Sequence, residues 1–324
     1  MKMKQADSAR LYGQIKAGQN TYIAQGTVIR SIDDSVSLGD NTWVLENSVV
    51  IGSPEQPVTI GQKTVFGHRC LVVGSTIGDL CEIGNSTIFL PGSVVGDRCI
   101  FGEGTIIGSD QVIPDESVVV GRPGRIIRRL SDDDRAMIRR MRGGDISLSD
   151  DQRHLVNEQG DKKMGTLYPY QDKMPRVADS VVLFDCAEIT GDVEIGDNTI
   201  IASGVRIIGN SHGPVVIGRN VQILENSVLH LLPDNRLIIE DNVTIGPGCM
   251  IHGTTIGQGS VIEAGAIVCD YSQLGKNVLV KAGSLIKQRS RFDDDQIVEG
   301  FPAKVTGQND GPLERPAWAI RQYR

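Results

Sequence analysis

Five histidines, His68, His154, His212, His230 and His252, are the residues of this chain best suited to chemistry near neutral pH. An imidazole can act as a general base or as a ligand for a transition metal. His212 lies in GNSHGP (209–214), a phrase read as a loop extruded from the surrounding pattern, where a base could reach an acceptor hydroxyl or amine. An exposed loop histidine is the plainer expectation there, and His154, in a polar stretch, reads as a lone surface residue. The six cysteines, Cys70, Cys81, Cys99, Cys186, Cys249 and Cys269, stand singly with no CxxC pair, which predicts reduced thiols.

The elements that must position these side chains follow an unusual beat. Over Val58 to Ser109 an aliphatic or aromatic residue returns about every six positions, at Ile60, Phe66, Val72, Ile77, Ile83, Phe89, Val95, Phe101 and Ile107. Gly often follows it, as at Gly61, Gly67, Gly78, Gly84, Gly96, Gly102 and Gly108. A helix repeats its apolar face every 3.6 residues and a strand every two, so neither produces this period. A short strand plus a tight corner does, if each turn points one aliphatic residue inward and places Gly, Asn or Asp where positive φ is needed. Such hexapeptides predict a parallel β-helix, which needs several stacked coils before its core is dry.

The beat runs twice. It occupies 20–127 after a lead-in, with a small PEQP insertion at 54–57, and returns over 177–306 with a PDNR insertion at 233–236. TWVLENSVVIG (42–52) aligns without gaps to VQILENSVLHL (221–231), and VVVGRPGRIIR (118–128) aligns to IVEGFPAKVTG (297–307). A tandem duplication is expected: an N-terminal β-helix plus closing helix over 1–142, a linker over 143–176, and a second β-helix with an irregular tail over 177–324. Ser131 reads as an N-cap, Asp132 to Asp134 as a first helical turn, and Arg139, Arg140 and Arg142 as the last, matching the helix dipole. Met137, Ile138 and Met141 are expected to form its buried stripe, with the arginines a solvated helix end. The tail from Asn309 carries no repeat and is expected to lie over a surface or a partner.

Composition narrows the function. A formal charge of −7 gives no basic envelope for nucleic acid or an anionic membrane. No apolar run approaches the ~20 residues of a membrane span. The N-terminus lacks the apolar centre of a secretory signal, so a cytoplasmic protein is expected.

The order of parts resembles the gamma-class carbonic anhydrase-like branch of the hexapeptide-repeat superfamily. Carrying that resemblance are CAEITGDVEIG (186–196), the aliphatic-Arg step at Arg206, the step ending in His230, the step from Ile245 to Gly253, and the Gly-x-Pro-Ala-Lys ending at 300–304. Both halves resemble it nearly end to end. The resemblance implies left-handed β-helices, mainly β with a short α-helix after the first, and a trimer-based homo-oligomer acting on a small molecule. It also implies three histidines holding zinc, or iron or cobalt, with an open position where water becomes a nucleophile for carbon dioxide or a related small electrophile.

Carried over one at a time, the ligand positions fall on Ile51, His68 and Val73 in the first half, and on His230, Pro247 and His252 in the second. The losses are complementary: His68 could join His230 and His252 if domains or subunits pack as in the family, and the reverse face would be dead. A vestigial site inherited from a metal-binding ancestor is the alternative, and the protein would then be a non-catalytic trimeric scaffold. The family's arginine beside the site matches Arg30 and Arg206, and the acid that pairs with it across the subunit boundary matches Glu46 and Glu225. Its glutamine before that acid is replaced by Leu45 and Leu224, which puts efficient carbon dioxide hydration in question. The rival enzyme is an acyltransferase with CoA or a carrier thioester lying between subunits and His212 as base. No Asn-His or His-Asp pair typical of such sites is evident along the chain.

Overall fold

The computed structural model describes residues 3–142, 165–210 and 213–320. The chain forms two compact units, Met1–Gly160 and Asp161–Arg324. Each is mainly β, a left-handed β-solenoid of short strands.

In the N-terminal unit the strands stack into sheets of eight, six and six, parallel except for the last pair. Three hexapeptides make one coil, so residues 18 apart, such as Asp79 and Asp97, stand one above the other. The PEQP insertion lengthens its coil, and Ser48 and Cys70 meet across 22 residues. All nine residues of the six-residue beat, from Ile60 to Ile107, are buried in one core. Phe89 stacks edge-on between Phe66 and Phe101, with ring centres 6.3 and 5.1 Å away. Burying each such side chain stabilises the coil by about 1.5–3 kcal/mol.

The corners correct the reading of the glycines. Gly61 and Gly96 are absent from the positive-φ residues. Their lack of a side chain is needed because the next coil lies so close: a Cβ on Gly61 would come within 2.6 Å of the Gly78 carbonyl carbon. The left-handed corner residues include Lys63, Leu80, Arg98 and Glu116 in successive coils. Each such residue costs roughly 1–2 kcal/mol. Cross-coil hydrogen bonds offset this, among them Asp97 Oδ1 accepting from Asp79 N at 2.9 Å and Asp115 Oδ1 accepting from Asp97 N at 2.9 Å.

Coils begin ahead of the regular beat, with strands at Lys4–Gln5, Arg10–Tyr12 and Ile15–Ala17. The C-terminal unit likewise starts at Thr166–Tyr168, inside the stretch read as linker, where Thr166 pairs with Glu188. A terminal coil has a neighbour on one side only and tolerates an irregular sequence. Sheets of seven, seven and eight strands follow. Each run of coils ends in an antiparallel hairpin, Ser117–Val120 with Arg125–Arg129 and Gln296–Gly300 with Ala303–Gln308. The returning strand covers the open edge of the last coil.

The helix α1 (Asp132–Arg142) is capped as its sequence implied: Asp134 N donates to Ser131 Oγ at 3.2 Å, and Asp134 Oδ2 accepts from Ser131 N at 2.7 Å. Its buried stripe differs from the expected one. Ile138 is buried and Met137 packs beside it, but Met141 is exposed and Arg142 takes the inner place. The Arg142 guanidinium donates to both carboxylate oxygens of Glu82, at 2.6 and 2.8 Å, and lies over Trp43. This arginine is therefore a structural anchor and no part of a solvated end.

All six cysteines are free. Burial pushes the thiols of Cys70 and Cys249 up to about 12, which makes them inert packing residues. The tail lies over its own unit. Trp318, Ala319 and Ile320 are buried, and the fully buried Gln222 accepts from Ile320 N at 2.9 Å and donates to Ile320 O at 2.7 Å. Among the described residues no helix is long and apolar enough to cross a membrane.

Candidate metal centre

Two of the expected ligand positions come together in the C-terminal unit. Strand Val228–Leu229 pairs in parallel with Met250–Ile251, and Leu229 stands opposite Ile251. The next residue on each strand is a histidine, so His230 and His252 stand one above the other on the same side of the solenoid. Their backbones are held by the coil ladder, His230 N donating to Ile251 O at 3.0 Å and His252 N to Val268 O at 2.8 Å. Their rings meet edge to face with centres 5.9 Å apart. Two imidazoles on one tetrahedral ion have ring centres about 5 Å apart, so a small rotation would serve.

The second ring is held from behind. His252 Nδ1 lies 3.1 Å from Asp270 Oδ2. Asp270 is buried, and its other oxygen accepts from Gly253 N at 3.1 Å, Asn235 Nδ2 at 3.2 Å and Leu232 N at 3.3 Å. Asn235 is itself anchored by donating to Gly253 O at 2.8 Å. With its proton on the nitrogen facing Asp270, His252 keeps a lone pair on Nε2. His230 is tied at the opposite nitrogen, with Nε2 3.1 Å from Asn210 Oδ1. Burial, then the neighbouring His252, hold the His230 pKa below its ordinary value, while Asp270 pulls the other way. The balance favours the neutral ring that a metal requires.

The remaining site positions have surroundings of their own. His68 is exposed in the N-terminal unit, its Nδ1 2.7 Å from Glu46 Oε2. Glu46, expected to face an arginine across a subunit boundary, thus engages a histidine one coil away within the chain. Ile51 and Val73 occupy the ladder positions that His230 and His252 hold in the other unit, and both are buried. Pro247 is buried as well. Arg206 is half-buried and ion-paired with Glu188 at 3.0 Å. Glu225 is buried, and its carbonyl accepts from Gly248 N at 2.8 Å. Leu224 is fully buried. Among the described residues no three His, Cys, Asp or Glu side chains converge on one point. His154 and His212 lie outside the described residues, and the acyltransferase base expected at His212 lies there with it.

Asp270, Asn235 and Asn210 escaped the sequence reading. The His-Asp pair sought along the chain exists across it: Asp270 follows His252 by 18 residues, one coil. The coil length was legible and could have pointed to it.

The family model described as the hexapeptide repeat of succinyl-transferase matches residues 57–90 and 236–269. A carbonic anhydrase of Geobacillus kaustophilus is 39% identical over 139 residues, which cover 43% of this chain and 76% of that protein. The mitochondrial gamma carbonic anhydrase 2 of Arabidopsis thaliana is 32% identical over 43% of this chain and 52% of its own length. A solved hexapeptide transferase family protein from Anaplasma phagocytophilum is 29% identical with a TM-score of 0.42, covering 44% of this chain and 84% of that one. With matching coils in both of its units and this likeness over three-quarters of a bacterial relative, the chain belongs to the gamma carbonic anhydrase-like family of hexapeptide-repeat proteins.

Proposed function

We propose that this chain is a metal-dependent, gamma carbonic anhydrase-like enzyme that hydrates carbon dioxide or attacks a related small electrophile. His230 and His252 are two ligands of a divalent ion, and His68 of another copy is the third in a trimer-based assembly. The observation that carries the reading is the stacked imidazole pair, 5.9 Å between centres. Relatives named carbonic anhydrase support the reaction class. An ion held there supplies Lewis acidity, which activates water near neutral pH. The chain's own part is to keep the His230 ring neutral and to stack both rings on one side of the coil. Arg206, half-exposed and already paired with Glu188, flanks the boundary with the neighbouring copy, and Glu225 backs it from a buried place in the same unit. Leu224 and Leu45, apolar where the family carries glutamine, give the reacting water one polar partner fewer, which favours a substrate needing less help than carbon dioxide.

One observation favours a second reading. A histidine backed by a buried carboxylate is also the arrangement of a general base, and His252 with Asp270 has it. In that case the pair deprotonates an acceptor hydroxyl or amine for transfer from an acyl-CoA. Metal analysis of the purified protein, with carbon dioxide hydration and acyl-CoA turnover assayed on wild type and His252→Ala, separates them. Stoichiometric metal lost in the variant supports the first reading. Metal-free protein with CoA release overturns it in favour of the second.

A further inference from the structure

We propose that Asp270 is a positioning residue. It holds the proton of His252 on Nδ1 and so presents Nε2 as the lone pair for a divalent first-row metal ion. This deepens the metal reading and rests on it for the identity of the ligand, while the tautomer itself rests on the hydrogen bonds alone.

One oxygen of Asp270 ties down the neighbouring loop and the other serves the ring. Its side chain is 5% exposed against 31% for His252, so a charge is sunk behind a ring that reaches the surface. A buried carboxylate is costly unless every lone pair is used. Here Oδ1 takes three N–H donors, from Leu232, Asn235 and Gly253, which leaves Oδ2 directed at His252 Nδ1. A carboxylate can only accept, so Nδ1 must donate, and in the neutral ring Nε2 is then the bare nitrogen. Metal-bound histidines are held in this way by carboxylates behind them.

The surrounding loop is shaped for the same end. The PDNR insertion carries Asn235 back over the coil, where its amide bridges the Gly253 carbonyl and Asp270. Gly253 permits that approach, since a Cβ there would come within 2.6 Å of Asn235 Cγ. In the N-terminal unit the positions equivalent by alignment hold Val73 for His252, Pro91 for Asp270 and Gln56 for Asn235. That coil keeps its insertion, its glycine, Gly74, and an amide side chain, Gln56, yet lacks ring and carboxylate together. The carboxylate is present where the imidazole is and absent where it is not.

Asp270→Asn tests this with little change of shape. The asparagine oxygen can still accept from Gly253 and Leu232, but its NH2 now faces Nδ1, which must become the acceptor, so the ring proton moves to Nε2. Long-range 15N–1H NMR of the metal-free full chain should show His252 as the Nδ1–H tautomer in wild type and as Nε2–H in Asp270→Asn. Cobalt(II) titration should show affinity falling about 10- to 100-fold in the variant. Circular dichroism and the melting temperature confirm that the variant folds, and Asp270→Glu serves as a second variant, expected to keep the Nδ1–H tautomer. Wild-type His252 in the Nε2–H form, or a tautomer and cobalt affinity unchanged in Asp270→Asn, would overturn the proposal. Wild type that binds no cobalt but shows the tautomer switch sinks the metal reading and upholds the positioning role.

Discussion

The imidazoles of His230 and His252 meet edge to face, one coil apart, with 5.9 Å between ring centres. The register of two parallel strands makes these two residues neighbours, so their pairing is a property of the solenoid backbone, and side-chain rotation only trims the distance. A pair held this way needs one more protein ligand to make a three-histidine centre with an open position.

From this follows a graded set of losses. His230→Ala and His252→Ala should each abolish stoichiometric metal. His68→Ala should weaken metal at least 10-fold and lower catalysis with it, because it removes one ligand of three. Ile51→Ala and Val73→Ala should leave metal content untouched. Elemental analysis of each purified variant checks the series, and full metal retention in His68→Ala would exclude that residue as the third ligand.

Removing Arg142 should be costly to the N-terminal unit. Arg142→Ala leaves the largely buried Glu82 carboxylate without the two bonds it receives, at 2.6 and 2.8 Å. Breaking such a pair from one side costs about 3 kcal/mol. The double variant Arg142→Met/Glu82→Gln should be considerably closer to wild type. Urea denaturation followed by tryptophan fluorescence reads this, since Trp43 lies 5.8 Å from the guanidinium carbon.

Acid should loosen the docking of α1 first. The Arg128 guanidinium, then the Ser131 backbone N–H, hold the Asp134 carboxyl well below its ordinary 3.8. Glu116 lies below its ordinary 4.5, chiefly through Arg135 and also through Arg98. Both folded values are depressed, so the stability they contribute is fully present above the ordinary values and is lost as pH falls below them. Amide protection factors in α1, taken relative to intrinsic exchange at each pH, should therefore fall on acidification below about pH 4.5 before those of the core strands, and Asp134→Asn should flatten that dependence.

The tail should prove part of the C-terminal fold. Gln222→Ala removes both bonds to Ile320 and leaves that peptide's buried groups without them. A loss of about 1–3 kcal/mol is expected. Limited proteolysis should then cleave near Trp318 in the variant faster than in wild type.

The six-residue beat was sufficient to read the architecture, because each short strand must turn one aliphatic residue inward and nothing but a three-sided coil repeats at that interval. Ile60, Phe66 and Phe89 sit in the core the beat assigned to them. The duplication was legible for the same reason, and the aligned stretches 118–128 and 297–307 prove to lie in two antiparallel hairpins that the alignment did not announce. The ligand positions His230 and His252 came from resemblance to a family, and strand register then placed them one above the other, edge to face.

What lay beyond the sequence depends on contacts between coils. Asp270 is a full coil from His252, so only stacking makes them a pair. Arg142 reaches Glu82 across 60 residues, which reversed the expected exposure of the helix end. Gly61 looked like a turn residue until the next coil was seen pressing against it. A solenoid writes its core locally, one inward residue at a time, but its polar chemistry runs perpendicular to the chain, between residues that the sequence keeps apart.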